Sequence, residues 1–283
     1  MPELPEVESI RKQLEKFLVG HLIKKVEVNW RKSLPEREDK IIGAKIEKVH
    51  RFGKILEIEL SNKFSLVIHV KMTGQLIYRG PNLEPAGQLS RKIIGGVPGK
   101  HTHVVFYLDK GGILYFNDVR KFGWIRIIET EKAHRETMIG KMGLEPLKDL
   151  TAEKFENILK SSKRPVKLVI MDQTKIAGVG NIYANDALWL AKIHPKKESK
   201  KLGNEEIRDL YDAIHKVLKK GIEKGGSSEN SYVTPDGGEG EYQHFTLIYG
   251  KEGEVCERCH LTKFEKFFLS GRGTYFCPNC QKY

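Results

Sequence analysis

The chain has 283 residues, of which 39% are hydrophobic and 30% charged, a composition typical of a soluble globular protein with one to three domains. No apolar run approaches the roughly eighteen residues of a membrane helix, and Glu3, Glu6 and Glu8 stand where a signal peptide would be basic, so we expect a cytoplasmic protein. Lysine and arginine total 49 against 37 acidic residues, and the net charge of +12 favours a polyanion such as nucleic acid as partner, although a basic surface that only aids solubility has the same charge.

The first 130 residues predict one helix followed by many short strands. Apolar side chains recur on one helical face from Val7 to Leu18, and Gly20 ends the helix. Alternation with a period of two then predicts a series of strands. These strands cover residues 26–30, 56–60, 64–70, 104–108, 113–116 and 124–128. Short strands separated by Gly and Asn predict a β-sandwich or barrel over residues 1–130.

The second half of the chain predicts helices and a small terminal module. After a linker at residues 131–150, Thr151 begins one predicted helix, residues 181–191 form a second, and Asn204 begins a longer third. Gly- and Ser-rich residues from Gly225 to about Gly240 then predict a flexible loop. The predicted architecture is therefore multi-domain α+β, with a helical domain at residues 151–240 and a cysteine module at residues 241–283.

The four cysteines of the chain form two C-x-x-C pairs. They are Cys256, Cys259, Cys277 and Cys280, with seventeen residues between the pairs. Each pair can present two thiolates to one ion, and this spacing is typical of a tetrahedral four-cysteine zinc site. Two disulfides or four free thiols are the alternative, which the absence of a secretion signal disfavours. Four cysteine ligands leave no open position, so the zinc is predicted to be structural.

Two positions in the N-terminal half suggest amine chemistry. If Met1 is removed, Pro2 offers a secondary amine with a pKa well below that of lysine, and such an amine can attack an electrophilic carbon to give an iminium ion. The alternative is that the prolines and glutamates of residues 2–6 only begin a helix. Lys54 shares the parity of the inward-facing residues Leu56 and Ile58, which places it at the rim of a sheet unless the strand has not yet begun there.

Three further segments each have a functional and a structural interpretation. Met72 follows a strand and is either a core methionine or an exposed one. The segment Asp118–Gly123 is either an ordinary hairpin with Phe122 on the core or an exposed wedge that pairs Arg120 with Phe122 to unstack bases. The turn Gly178–Ile182 precedes a helix, and its N–H groups are suited to a phosphate.

Taken together, these residues resemble the formamidopyrimidine-DNA glycosylases, bacterial repair enzymes for oxidised purines. The resemblance covers nearly the whole chain and rests on the four-cysteine module and five motifs. The motifs are Met1-Pro-Glu-Leu-Pro-Glu6, Arg51-Phe-Gly-Lys54, Asp118-Val-Arg-Lys-Phe-Gly123, Gly178-Val-Gly-Asn-Ile-Tyr183 and Gly271-Arg-Gly-Thr-Tyr-Phe276.

The resemblance implies a bifunctional DNA glycosylase and AP lyase with four catalytic residues. Pro2 matches the nucleophile that forms a Schiff base at C1′, and Glu3 matches the acid that protonates the deoxyribose ring oxygen. Lys54 matches a general acid of the elimination chemistry. Arg272 matches the arginine that grips phosphates at the lesion and is linked to δ-elimination.

The resemblance also implies how duplex DNA with oxidised purines or abasic sites is held. Met72, Arg120 and Phe122 match the residues that fill the gap left by the flipped base, with Arg120 facing the orphaned cytosine. Residues 163–191 resemble the helix–two-turn–helix of the family. The phosphate contacts match His101, Lys163, Lys167 and Asn181. A monomer with one structural zinc ion, in the bacterial cytoplasm at the nucleoid, is implied as well.

Three positions differ from the family pattern, and two other functions remain open. The cysteine pairs are separated by one residue more than expected, Asn230 replaces an arginine before Ser231-Tyr232 of the lesion-capping loop, and Thr102 replaces an aspartate. The first alternative is the related endonuclease VIII, which removes oxidised pyrimidines. The second is a damaged-DNA-binding protein without catalysis.

Overall fold

The computed structural model describes residues 1–81, 83 and 88–283, and they form two compact units. The first unit comprises residues 1–141 and 221–243, and the second comprises residues 142–220 and 244–283. Residues 221–240, which the sequence analysis grouped with the helical domain, therefore belong to the first unit. No helix in these described ranges is long and apolar enough to cross a membrane.

The first unit is a β-sandwich with a helix at its N-terminus. The helix α1 covers Leu4–Leu18 and ends before Gly20, whose φ of +92° suits glycine. Among the described residues of this unit, the strands are β1 (Ile23–Val28), β2 (Ile46–Phe52), β3 (Ile55–Leu60), β4 (Phe64–His69), β5 (Gly74–Arg79), β6 (Thr102–Leu108), β7 (Ile113–Asp118) and β8 (Trp124–Glu129). They form two antiparallel sheets, one in the order β1-β6-β7-β5 and the other in the order β2-β3-β4-β8. A short helix, α2 (Thr130–Glu136), follows β8.

The apolar faces of both sheets and of α1 share one core. Because side chains alternate along a strand, every second residue points into this core. It includes Leu14, Leu56, Ile58, Leu60, Leu66, Ile68, Val104, Phe106, Phe116 and Ile125, all at most 2% exposed. The predicted sandwich is confirmed.

The second unit holds the predicted helices and the cysteine module. Its helices are α3 (Ala152–Lys160), α4 (Val166–Ile170), α5 (Asn181–Leu190) and the part of α6 (Asn204–Glu223) up to residue 220. Thr151 caps α3 as predicted, because its hydroxyl accepts a hydrogen bond from the Lys154 N–H at 3.3 Å. A hairpin of β9 (Glu265–Leu269) and β10 (Arg272–Phe276) lies between the two cysteine pairs.

The segment from Ser227 to Gly240 is packed, which corrects the expected flexible loop. Tyr232 lies in the sandwich core, and Val233 packs in a second cluster with Ile77 on β5. The hydroxyl of Ser228 donates to the Tyr232 carbonyl oxygen at 2.9 Å and accepts from the Gly240 N–H at 2.9 Å. This segment therefore completes the first unit.

Candidate functional site

The N-terminal residues are fixed by a carboxylate at the start of α1. Glu3 is the N-cap, and Glu6 forms a capping box with it, accepting from the Glu3 N–H at 2.7 Å. The second oxygen of Glu6 accepts from the Ser227 N–H at 2.8 Å. Pro2 is buried, whereas Met1 is 37% exposed and makes the Pro2 nitrogen an amide. Glu6 thus holds the predicted nucleophile and acid in place.

Gly226 permits the close approach of Glu6. A Cβ at this position would lie 2.7 Å from the Glu6 Cγ, and the φ of +83° disfavours other residues. Glycine at position 226 is therefore needed for packing against α1.

Lys54 lies in the turn between β2 and β3 and is only 5% exposed. Its strand begins at Ile55, so the strand has not yet begun at this lysine, which is the second of the two alternatives, and the side chain is buried in the turn. Arg51 supports the turn, because its guanidinium donates to the Gly53 carbonyl oxygen at 3.2 Å and pairs with Glu8 of α1 at 2.8 Å. Burial raises the pKa of Glu8, but hydrogen bonds from Arg11 and Arg51 outweigh this effect and lower it.

A neutral histidine lies near Lys54. Burial, followed by the positive charges of Lys71 and Lys54, lowers the pKa of His69 to about 3. The Nδ1 atom of His69 accepts from the Lys71 N–H at 3.0 Å. The surroundings of Lys54 therefore carry no second positive charge from this imidazole.

The three predicted gap-filling residues are brought together on the surface of the first unit. Met72 is 36% exposed and Phe122 is 56% exposed, which excludes the core positions considered for both. The guanidinium carbon of Arg120 lies 4.9 Å from the Phe122 ring centroid. Met72 and Arg120 line a cavity of about 350 Å³ together with Lys92, Ile94 and Ser231, among others.

Asp118 sets the conformation of this wedge, which we define as residues 119–123. Its buried carboxylate accepts from the Arg120 N–H at 3.1 Å, from the Gly123 N–H at 2.6 Å and from the Thr73 hydroxyl. The Thr73 contact links the wedge to Met72. A Cβ on Gly123 would lie 2.7 Å from the Phe116 ring, so glycine is required there.

A cation–π contact supports the wedge from its other side. Lys121 has a φ of +59°, and its ammonium lies 4.1 Å from the centroid of the Trp30 ring. The Trp30 N–H donates to the His103 carbonyl oxygen at 3.2 Å, which ties the end of β1 to β6. His101, the predicted phosphate contact, precedes β6 and is half-buried, and burial followed by the charge of Lys100 lowers its pKa.

In the second unit, two of the predicted DNA contacts, Lys167 and Asn181, donate hydrogen bonds to the start of β10. Arg272 is exposed at the start of β10, after a turn in which Ser270 and Gly271 have positive φ. Lys167 is fully buried, and its ammonium donates to the Gly273 carbonyl oxygen at 3.0 Å and to the Thr274 hydroxyl at 2.8 Å.

Lys163 and Asn181 differ in their surroundings. Lys163 is exposed. Asn181 begins α5 and donates to the Gly273 carbonyl oxygen at 3.1 Å. The turn before it is stabilised by Gln173, whose side chain accepts from the Gly178 N–H and donates to the Val179 carbonyl oxygen. Lys167 and Asn181 are thus joined at one carbonyl, whereas Lys163 faces solvent.

The four cysteines form a cluster that can hold a metal ion. All four sulfur atoms lie within 4.8 Å of one another, with 3.9 Å between Cys256 and Cys280 and 3.7 Å between Cys259 and Cys277. Tetrahedral zinc with bonds of about 2.3 Å requires sulfur atoms about 3.8 Å apart, so the donor set fits. Hydrogen bonds led by the backbone N–H of Leu261 lower the pKa of Cys259 to about 5, whereas burial and the neighbouring thiols raise the pKa of Cys280 to about 12.

Three residues that support the candidate site by hydrogen bonds were not identified individually from the sequence: Glu6, Asp118 and Gln75. Glu6 stands three residues after Glu3, and this capping-box spacing is a readable signal. Gln75 is buried on β5 and donates to the carbonyl oxygens of Lys92 and Ser231 at 3.0 and 2.7 Å. Nothing local in the sequence indicates these long-range contacts.

Two family models match this chain. Residues 1–125 match the formamidopyrimidine-DNA glycosylase N-terminal domain, and residues 142–232 match the formamidopyrimidine-DNA glycosylase H2TH domain. The formamidopyrimidine-DNA glycosylase of Heliobacterium modesticaldum is 39% identical over 288 aligned residues that cover 100% of both chains. That of Streptococcus pneumoniae serotype 4 is 37% identical and covers 100% of this chain and 99% of its own.

Solved structures of formamidopyrimidine-DNA glycosylases are also similar to this chain. Lactococcus lactis Fpg (MutM), in complex with DNA containing N7-benzyl-Fapy-dG, is 35% identical with a TM-score of 0.87, and 100% of each chain is covered. The complex of Lactococcus lactis Fpg with DNA containing an abasic site also has a TM-score of 0.87 at 35% identity, covering 99% of this chain and 100% of that one.

Proposed function

We infer the reaction of this chain from its family: the chain belongs to the formamidopyrimidine-DNA glycosylases, and it is a DNA glycosylase of base excision repair with the AP lyase activity of that family. Its partner is duplex DNA that contains damaged bases or abasic sites. We further propose that it prefers oxidised purines, namely 8-oxoguanine and formamidopyrimidines. The observation that carries the mechanism is the Pro2-Glu3 start of α1, held by the buried Glu6 carboxylate.

Pro2 is the nucleophile of the proposed reaction. Once Met1 is removed, its secondary amine attacks C1′ of the damaged nucleotide, the bond from C1′ to the base breaks as the base leaves with the electron pair, and the proton lost from the amine neutralises the departing base. Glu3 protonates the ring oxygen O4′, the sugar opens, and an iminium ion forms between Pro2 and C1′. The base must leave the stack first, at a cost of a few kcal/mol that phosphate contacts offset.

Strand cleavage follows from the iminium ion. The positive nitrogen acidifies the C2′ proton, and its loss expels the 3′ phosphate in β-elimination. A second elimination expels the 5′ phosphate and leaves a one-nucleotide gap. Lys54, near neutral His69 and supported by Arg51, acts as the general acid in these steps. Arg272 grips the lesion phosphates and promotes the δ step.

The wedge is proposed to enter the duplex where the damaged base has left. Phe122 stacks between the neighbouring bases, Met72 fills the gap, and Arg120 presents its donors to the orphaned cytosine. The exposure of all three and the stacking of Arg120 on Phe122 support this role.

DNA phosphates are proposed to contact His101, Lys163 and Asn181. Lys163 supplies an exposed ammonium, and Asn181 lies at the N-terminus of α5. Lys167 is buried against Gly273 and Thr274, so we assign it to support of the hairpin that carries Arg272. We propose that the protein performs this function in the bacterial cytoplasm, at the nucleoid.

The cysteine cluster is proposed to bind one structural zinc ion. Cys256, Cys259, Cys277 and Cys280 would hold it, and the ion would cross-link the base of the β9–β10 hairpin.

Borohydride trapping tests this mechanism. A labelled duplex with 8-oxoguanine opposite cytosine is incubated with the processed protein, with Pro2→Gly, and with protein that retains Met1. We expect a covalent protein–DNA band only with processed Pro2. Tight lesion binding without any band would contradict the catalytic mechanism and leave a damage-binding protein.

Lesion preference is tested with a second duplex. Thymine glycol replaces 8-oxoguanine, and rates of base release are compared at equal enzyme concentration. Faster excision of 8-oxoguanine is expected, and faster excision of thymine glycol would instead assign the endonuclease VIII specificity.

A further inference from the structure

Three side chains of the helical region converge on the strand that carries Arg272. Lys167 and Asn181 both donate to the Gly273 carbonyl oxygen, at 3.0 and 3.1 Å. The third, Asn185 on α5, donates to the same oxygen at 3.4 Å. The backbone one residue after Arg272 is therefore fixed to α4 and α5.

Asn185 uses both ends of its amide, and it is fully buried. Its Oδ1 accepts from the Tyr275 N–H at 2.9 Å, while its Nδ2 donates to the Asn181 carbonyl oxygen at 2.7 Å. An acceptor and a donor are thus required on one short side chain. Alanine has neither, and leucine of similar size would bury these three backbone groups without the side-chain partner.

The hairpin depends on such anchors. It consists of two five-residue strands, and an isolated two-stranded hairpin is marginally stable in water. The hairpin runs from the turn at Ser270-Gly271 to the cysteine pair at its base. Between these two ends, the contacts of Asn185, Lys167 and Asn181 fix the position of Arg272 relative to α5. The N-terminus of α5 carries Asn181, so the same contacts couple the two predicted phosphate-binding groups.

We propose that Asn185 is a positioning residue that holds the first residues of β10 against α5 and thereby places Arg272 for δ-elimination. This inference rests on the proposed function, in which Arg272 promotes the second elimination. Asn185 touches no DNA group in this scheme and acts through the strand. Base excision and β-elimination, which depend on Pro2 and Lys54, do not need it.

The test measures the ratio of δ- to β-elimination products on an abasic-site duplex, with zinc content as the fold control. Asn185→Ala is expected to lower the ratio about tenfold, the effect of one or two buried hydrogen bonds, with total abasic cleavage within about twofold of the parent chain. Asn157→Ala, on an exposed position of α3, is the matched control and leaves the ratio unchanged. If the alanine variant loses zinc, the same product ratio is measured on Asn185→Ser, which keeps a hydroxyl donor and acceptor.

The double variant Asn185→Ala/Arg272→Ala distinguishes a positioning role of Asn185 from a general loss of structure. If Asn185 acts through Arg272, then Asn185→Ala lowers the ratio no further in the Arg272→Ala background. An unchanged ratio in the single variant, or an additional equal loss in the double variant, overturns the proposal. Failure of the proposed function is distinguishable, because the unaltered chain would then give no strand cleavage at all.

Discussion

At the scale of single residues, one buried carboxylate organises the end of the chain that carries the proposed nucleophile. Glu6 accepts hydrogen bonds from the Glu3 and Ser227 N–H groups and is 1% exposed. It joins the first turn of α1 to a segment more than two hundred residues later. One oxygen of Glu6 binds the Glu3 N–H and the other binds the Ser227 N–H, and these two hydrogen bonds fix the backbone next to Pro2.

Replacement of Glu6 is therefore expected to be costly. Glu6→Ala leaves two buried N–H groups without this acceptor and should lower the free energy of unfolding by about 2–4 kcal/mol. Urea denaturation measures the loss, and Glu47→Ala on an exposed strand position is the control. Equal stability of the two variants would contradict the role of Glu6.

The sequence indicated candidate site residues, whereas their surroundings had to come from the structure. Lys54 was expected either at the rim of a sheet or before its strand, and it lies in the β2–β3 turn because the strand begins one residue later. The exposure of Met72 and Phe122 could not be read from alternation, since parity gives the face of a residue only inside a strand. Contacts such as those of Gln75 depend on tertiary packing.

At the scale of elements, the wedge depends on its support by Trp30. The Lys121 ammonium over the Trp30 ring holds a residue with positive φ between Arg120 and Phe122. Loss of such a contact is worth about 0.5–2 kcal/mol.

Trp30→Ala should slow excision of 8-oxoguanine from duplex DNA about threefold to tenfold, because the wedge is less well ordered when the base is flipped. Cleavage of an abasic site, where no base must leave the stack, should change less than twofold. Trp30→Tyr retains a ring and should be intermediate. A parallel decrease on both substrates would indicate a different role for Trp30.

Elements with a regular apolar period were predicted, and the others were missed. The strand β5 is buried on both faces along most of its length, so it shows no alternation, and β2 has a register shift between Ile46 and Lys48. The helix α2 buries only Ala133, and α4 has five residues, so neither carries a helical pattern. The strand predicted at residues 26–30 ends at Val28.

The four-cysteine cluster gives a prediction at the same scale. Cys256 and Cys277 share a small core with Trp189, Phe264 and Tyr275, so removal of the proposed zinc ion should disorder this core. Chelation or Cys280→Ser is expected to change Trp189 fluorescence and to weaken binding of lesion DNA at least tenfold. Return of zinc to the chelated protein is the control, and unchanged DNA affinity of the metal-free protein would refute the prediction.

At the scale of the whole molecule, the charge of +12 implies binding that depends strongly on salt. Lys163→Ala should weaken affinity for damaged and undamaged duplexes alike and reduce the slope of log K against log salt concentration by about one. Titrations at several salt concentrations measure the slope, with Lys219→Ala on the exposed side of α6 as control. An unchanged slope for Lys163→Ala would exclude a phosphate contact there.

The discontinuity of the two units was beyond sequence reasoning, because composition does not indicate which distant segments pack together. Tyr232 lies in the same core as α1 and the sandwich strands, although residues 142–220 belong to the other unit.

This discontinuity bears on how the protein is made. On the ribosome, strands β1 to β8 emerge well before Tyr232 and Val233, so the nascent first unit waits with an incomplete core while most of the second unit is translated. The two units therefore finish folding close together in time, near the end of synthesis. A fragment that stops at residue 141 contains strands β1 to β8 but lacks the side chains of Tyr232 and Val233 that pack against them.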